Sequence, residues 1–182
     1  DSVELPSQMM EHWVLEPEVL KLYARHYQTG EVIPAALVEK IRNSALFNQG
    51  FETVEFLASC FLDMAWHNLE SAQNVNVTRF EEKVMNDLGL IPEILPRWKS
   101  AYFTHIHGGY EAGYYSYIWS EQLDCDAFEA FQETSLFDRK TAESFRRNIL
   151  ARLGTEDAMV LYKRFRGREP RIEPLLKKRG LM

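Results

Sequence analysis

Residues 51–69 read FETVEFLASCFLDMAWHNL, and this stretch decides the fold class. Phe51, Val54, Leu57 or Ala58, Phe61, Leu62, Ala65 and Leu69 recur at spacings of three and four. That period lays an apolar stripe along one side of a helix for about five turns. Working outward, the prolines stand at 6, 17, 34, 92, 96, 170 and 174, which leaves 35–91 and 97–169 free for helices. Asn-Gly and Asp-Gly pairs, the strongest hairpin signals, do not occur. The expected fold is mainly α, multi-helical, with little or no sheet, and residues 1–182 read as a single helical unit.

The same reasoning predicts the neighbouring elements. Pro34–Ser44 is expected as a helix with Pro34 in its first turn and Leu37, Val38 and Ile41 inward. Thr78–Leu88 follows, where Thr78 and Glu81 form a capping-box pattern and Gly89 stops the helix. Further helices are expected over Tyr110–Cys125, Ala127–Gln132, Asp138–Arg152 and Glu156–Phe165, with Asp138 capping one and Thr155 the last.

Charge and cysteine content narrow the function classes. Lys and Arg number 21 against 27 Asp and Glu, a net charge of −6. A duplex-DNA or RNA binder presents a basic surface, so no nucleic-acid partner is expected. No apolar run reaches the roughly 18–20 residues of a membrane span, so no membrane partner is expected either. Cys60 and Cys125 form neither a disulfide scaffold nor a CxxC pair. A reduced, cytoplasmic compartment is the default. Helical patterning already runs by Val3 and Leu5 with no initiator Met, so the chain reads as a piece of a longer protein ending in a natural basic tail, LLKKRGLM.

Chemistry concentrates in Tyr102–Glu121, YFTHIHGGYEAGYYSYIWSE. Tyr110, Tyr114, Tyr117 and Glu121 fall at helical spacing, a face of three phenols and a carboxylate. Tyr115, Ile118, Trp119 and Gln122 take a neighbouring face that can pack inward. Phenols in a row can donate hydrogen bonds to a developing oxyanion, and Gly108-Gly109 lets the backbone turn sharply or move. A tyrosine stripe equally packs as core with its hydroxyls at the edge, and spacing leaves both readings open. His105 and His107 form a weak HxH pair, and no HExxH occurs anywhere. His12, His26 and His67 read as surface or satisfied core histidines. Glu4, among apolar neighbours, reads as a helix-start carboxylate favoured by the macrodipole. The run YKRFRGREPR (162–171) can grip a carboxylate or phosphate, though such runs more often pair with a nearby acidic surface.

Three segments carry a resemblance: VELPSQMMEHW (3–13), HIHGGYEAGYYSYIWSE (105–121) and VLYKRFRGREP (160–170) with LLKKRGL (175–181). Together they resemble the thimet oligopeptidase family of zinc metallopeptidases, over essentially the whole chain and in family order. Bacterial members are nearest, and QTGEVIP (28–34) with LLKKRGL points to the dipeptidyl carboxypeptidase branch, with oligopeptidase A beside it. The resemblance implies a helical bowl enclosing a channel, and one zinc ion held by an HExxH helix and a glutamate that matches Glu4. It implies a flexible substrate loop over FTHIHGGY, with Gly108, Gly109 and Tyr110 binding substrate. It puts His105 at the transition-state histidine, and Tyr114 and Tyr117 at the phenols facing the scissile carbonyl. His107 has no counterpart.

The departures matter as much. Ser2 stands where the family carries a bulky aromatic or apolar residue, and the HExxH segment, which belongs upstream of Glu4, is not in this sequence. This chain alone is therefore expected to hold zinc weakly and to be inactive. The implied function is zinc-dependent hydrolysis of short peptides by the full-length protein, releasing C-terminal dipeptides. Its partners are then peptide substrates and the N-terminal part of the same protein. The alternative is a non-catalytic helical module that binds peptides or proteins.

Overall fold

A computed structural model describes residues 1–182. The helices are α1 (Leu5–Glu11), α2 (Pro17–Tyr23), α3 (Ala35–Ser44), α4 (Gln49–His67), α5 (Val77–Asp87), α6 (Ser116–Gln132), α7 (Arg139–Phe145), α8 (Ala158–Arg166) and α9 (Glu173–Lys178). Short 3₁₀ turns cover His12–Leu15, Ser100–Tyr102 and Thr104–His107, and a π-helical turn, Arg146–Leu150, continues α7. There is no sheet; the only β pairings are the isolated bridges Arg25–Val32 and Leu153–Glu156. The mainly α expectation holds, and no helix is long and apolar enough to cross a membrane.

Contacts group these elements into two compact units, one made of 1–47 with 117–182 and one of 48–116. The first is built on a core of Leu5, Met9, Leu123, Ala127, Phe128, Phe131, Phe145, Ile149, Leu161 and Tyr162. The Leu, Ile, Met and Phe side chains among them contribute about 1.5–3 kcal/mol each on full burial. Trp13 stands edge-on to both Phe128 and Phe131, with centroids 4.9 Å away in each case, and its indole donates to the Leu136 carbonyl at 3.1 Å. His12 stacks on Phe128 at 4.6 Å and pairs with the fully buried Asp124. It is thus a satisfied core histidine.

The basic run 162–171 closes on this unit's own acids. Buried Asp126 takes the Arg168 guanidinium at 2.7 Å, the Tyr162 hydroxyl at 2.5 Å and the Arg171 N–H at 3.2 Å. Arg166 adds Glu133, and Arg164 adds Glu156. These arginines serve as structural partners, because the nearest anions are side chains of the same unit.

The second unit is carried by α4. Its buried positions are Ala58, Ser59, Cys60, Leu62 and Asp63, while Phe61 is more than half exposed. The buried face is thus rotated from the purely apolar stripe toward Ser59 and Asp63. In α5 the cap is Asn76, which accepts from the Arg79 N–H at 3.0 Å, and not Thr78. Glu81 is not part of a capping box. It is buried, taking the Lys99 ammonium at 2.8 Å and the Ser100 N–H at 2.8 Å. Near the C-terminus Asp138 caps α7 through the Thr141 N–H at 2.7 Å, as expected. Asp157 rather than Thr155 caps α8. Its carboxylate reaches Met159 N and Val160 N, whereas the Thr155 hydroxyl donates to the Arg152 carbonyl. Both cysteines are free and buried.

Candidate active site

The loop preceding α6 departs from the helix expected at Tyr110. Helix α6 begins at Ser116 and runs unbroken to Gln132, across the expected boundary at Ala127. Residues 110–115 instead form turns, closed by the Gly113 N–H on the Tyr110 carbonyl and the Ser116 N–H on the Gly113 carbonyl, both at 2.9 Å. Ala112 is left-handed, with φ +52°. The reason is a distant acceptor: the Asp63 carboxylate takes the Ala112 N–H at 3.0 Å and the Tyr114 N–H at 2.9 Å. The Tyr114 amide, which a helix from Tyr110 would direct at the Tyr110 carbonyl, is thereby withdrawn from the ladder. The continuous face of three phenols does not form, since only Tyr117 and Glu121 lie on the helix. Glu121 itself pairs with Lys178 at 3.2 Å and with Arg179. Tyr115 and Trp119, expected to pack inward, are exposed.

What forms in its place is an aromatic cluster within residues 98–114. The half-buried His105 ring lies 5.0 Å from Tyr114 and 5.7 Å from each of Tyr110, Phe103 and Trp98. Three residues singled out from the sequence, His105, Tyr110 and Tyr114, are therefore brought together. Tyr114 is buried, stacked on Phe56 and edge-on to Phe103 at 4.9 Å, and its hydroxyl oxygen accepts from the Trp98 indole at 2.9 Å. An accepted hydrogen bond polarises a phenol toward donating its own proton.

The two glycines have separate reasons to be glycine. A Cβ on Gly108 would lie 2.7 Å from the Thr104 carbonyl oxygen, while Gly109 has φ +109° with open space around it. The His105 carbonyl accepts from both Gly108 N, at 3.3 Å, and Tyr110 N, at 3.1 Å, which ties the turn to the histidine it presents. The Glu111 and Gly109 backbone N–H groups hold the exposed Glu111 carboxyl below its ordinary range. His107 is exposed.

Glu4 and Tyr117 belong to the first unit. Glu4 stands just before α1, accepts a hydrogen bond from the Ser7 hydroxyl, and is half-buried. The segment around it is laid along α6 by two bonds, Ser120 Oγ to the Asp1 carbonyl and Gln8 Nε2 to the Tyr117 carbonyl, each 3.1 Å. Glu4 therefore lies between two anchors to the helix that carries Tyr117.

As to metal, a lone carboxylate such as Glu4 fits one position of a three-ligand site. The trio of ligand atoms that come within 4.8 Å of one another, on His12, Asp124 and Cys125, lies elsewhere in the sequence. There the His12–Asp124 pair already matches donor to acceptor, and burial with the Asp124 charge pushes the Cys125 thiol up. The residues present thus fit a single ligand at Glu4 and do not complete a site around it.

Sequence reasoning did not find Trp98, Phe103, Asp63 or His67. The first two carry no local pattern that sets them apart from other aromatics. Asp63 and His67 carried a signal, an acid and a histidine four apart within the apolar run of α4, that the apolar periodicity obscured.

The sequence pattern of peptidase family M3 matches residues 1–181. The chain is similar to the dipeptidyl carboxypeptidase of Salmonella typhimurium, 44% identical over 184 residues, and to oligopeptidase A of the same organism, 40% over 187. It is 37% identical over 188 residues to the probable cytosolic oligopeptidase A of Arabidopsis thaliana. Each match covers 100% of this chain and 27% of the relative's length, so the chain spans about a quarter of the proteins it matches. With the family's pattern running from its first residue to its penultimate one, the chain belongs to peptidase family M3.

Proposed function

We propose that the whole protein containing this chain hydrolyses short peptides with the help of zinc and releases C-terminal dipeptides. The observation that carries the reading is the gathering of His105, Tyr110 and Tyr114 on one glycine-hinged loop in a chain of this family. The 44% identity to a dipeptidyl carboxypeptidase supports the exopeptidase form. No H-E-x-x-H occurs in the 182 residues, so activity is assigned to the whole protein and not to this chain alone. A cytoplasmic place of action belongs to the same reading, supported by the two free thiols and the cytosolic name of a plant relative.

In this reading Glu4 supplies one protein ligand, with the other two supplied from outside this sequence. Zinc, when bound, polarises the scissile carbonyl and lowers the pKa of a coordinated water. Tyr117 or His105 donates a hydrogen bond to the oxyanion, where such a donor is worth roughly 2.7–4 kcal/mol. Tyr114, polarised by Trp98, assists. Gly108, Gly109 and Tyr110 let the loop close on the peptide backbone and exclude water.

The test is to incubate the whole protein with zinc and an unblocked nonapeptide, with Glu4→Gln in parallel, following products by mass spectrometry. Stepwise loss of C-terminal dipeptides, abolished in the variant, is the expected result. Internal cuts would replace the exopeptidase assignment by an endopeptidase one. No cleavage by a folded, zinc-loaded protein would refute the peptidase reading in favour of a peptide-binding module.

A further inference from the structure

The buried acid of α4 has no place in the chemistry above, yet its carboxylate takes two backbone amides of the loop. We infer that Asp63 is a positioning residue for the loop that carries Tyr110 and Tyr114, with His67 holding its carboxylate in place. The catalytic consequence rests on the peptidase reading; the loop geometry does not.

Asp63 is fully buried. A carboxylate removed from water needs strong partners, and Asp63 finds them in the loop and on its own helix. Oδ1 accepts from the Ala112 N–H at 3.0 Å, and Oδ2 from the Tyr114 N–H at 2.9 Å. His67, one turn along α4, places Nδ1 2.9 Å from both the Asp63 carbonyl and Oδ1. The Ala112 N–H also faces Nδ1, at 3.3 Å, but lies nearer Asp63 Oδ1 at 3.0 Å; with that amide given to the carboxylate, the two acceptors at 2.9 Å place the Nδ1 proton toward Asp63.

The two amides so fixed flank Gly113, and the first belongs to Ala112 at φ +52°. A residue with a Cβ seldom holds that conformation unless its surroundings impose it. The carboxylate is what imposes it. Turning the backbone there lets Tyr110 and Tyr114 both meet His105, whereas a continuous helix would spread the phenols along its face. An acid is needed in particular, because each of its two oxygens accepts one amide. Asparagine has the same shape but presents an NH₂ to one of them, donor against donor.

The test uses the whole protein with ¹⁵N-labelled tryptophan. Trp98 donates its indole N–H to Tyr114, and Trp66, in the same unit, donates to Ser100 at 2.9 Å, so Trp66 is an internal reference. In Asp63→Asn we expect roughly tenfold faster indole exchange at Trp98 with Trp66 unchanged. We also expect kcat for an unblocked peptide to fall by roughly 10²-fold while KM moves little. Adding Ala112→Gly should recover part of both losses, because glycine holds a positive φ without strain. Equal acceleration at Trp66 would make Asp63 a general fold residue and overturn the inference. So would a variant with Trp98 protection and kcat intact. A wild-type protein that cleaves nothing, whose Trp98 still loosens in Asp63→Asn, would sink the peptidase reading and leave the loop assignment standing.

Discussion

Gly108 offers a sharp test of how this loop works, because its constraint is one atom. The first Cβ at that position would sit 2.7 Å from the Thr104 carbonyl oxygen. Carbon–oxygen contacts settle at about 3.3–3.6 Å, so Gly108→Ala forces a displacement of roughly 0.6 Å. The opposing atom is backbone rather than a flexible side-chain tip, and the Thr104 carbonyl is bonded directly to the His105 nitrogen. The displacement therefore reaches His105 with nothing in between to absorb it. Overpacking of this kind costs about 1–3 kcal/mol, and a misplacement approaching 1 Å costs about 10²-fold in rate. Thermal unfolding together with kcat/KM of the whole protein on an unblocked nonapeptide measures both. Gly109→Ala is the informative neighbour: it meets no atom within 4 Å but must hold φ +109°, so its loss comes from backbone strain, on the order of 1–3 kcal/mol. A Gly108→Ala protein with kcat/KM within about twofold of wild type and an unshifted melting point would refute the reasoning.

Three further outcomes are expected. Tyr117→Phe in the whole protein should lower kcat by roughly 10²–10³ with little change in KM, and an unchanged kcat would remove that phenol from the reaction. Asp126→Asn leaves the Arg168 charge facing a neutral amide inside the first unit and should cost about 3–5 kcal/mol in denaturant unfolding; a loss below about 1 kcal/mol would show that the arginines find other anions. Burial pushes the Glu81 carboxyl up, but the Lys99 ammonium and the Ser100 N–H and hydroxyl outweigh it and hold it below the usual 4.5. A depressed folded value means this stabilisation is full above the unfolded pKa and is lost as pH falls through the folded one. Melting temperature should therefore drop on acidification below about pH 4.5, and Glu81→Gln should flatten that slope; an unchanged slope would exclude Glu81 as its source.

Helix existence was legible in the residues because its cause is local. Apolar positions three and four apart and the proline spacing lead to α3, α4 and α5 within a residue or two of their observed ends. Asp138 could be read as a cap since its acceptor serves an amide three residues away. Thr155 was misleading because Asp157, two residues on, reaches two amides of the first turn of α8. Likewise Glu81 fits a capping-box pattern, yet its partners lie 18 and 19 residues downstream. His105, Tyr110 and Tyr114 could be singled out from the sequence, but their arrangement could not, since a helical wheel assumes that backbone amides stay in the ladder.

By itself, then, the sequence determined a mainly helical chain, its principal helices and a set of motifs that place it in peptidase family M3. Tertiary structure alone decided that Tyr110 and Tyr114 leave the helix and meet His105. Two amides in the first turns of the expected helix are taken by a carboxylate 49 and 51 residues earlier in the chain. A buried anion without partners is among the costliest arrangements a fold can contain, so satisfying Asp63 outweighs the helical preference of a short aromatic segment. No window of local spacing contains that competition, because its two sides meet only after α4 has packed.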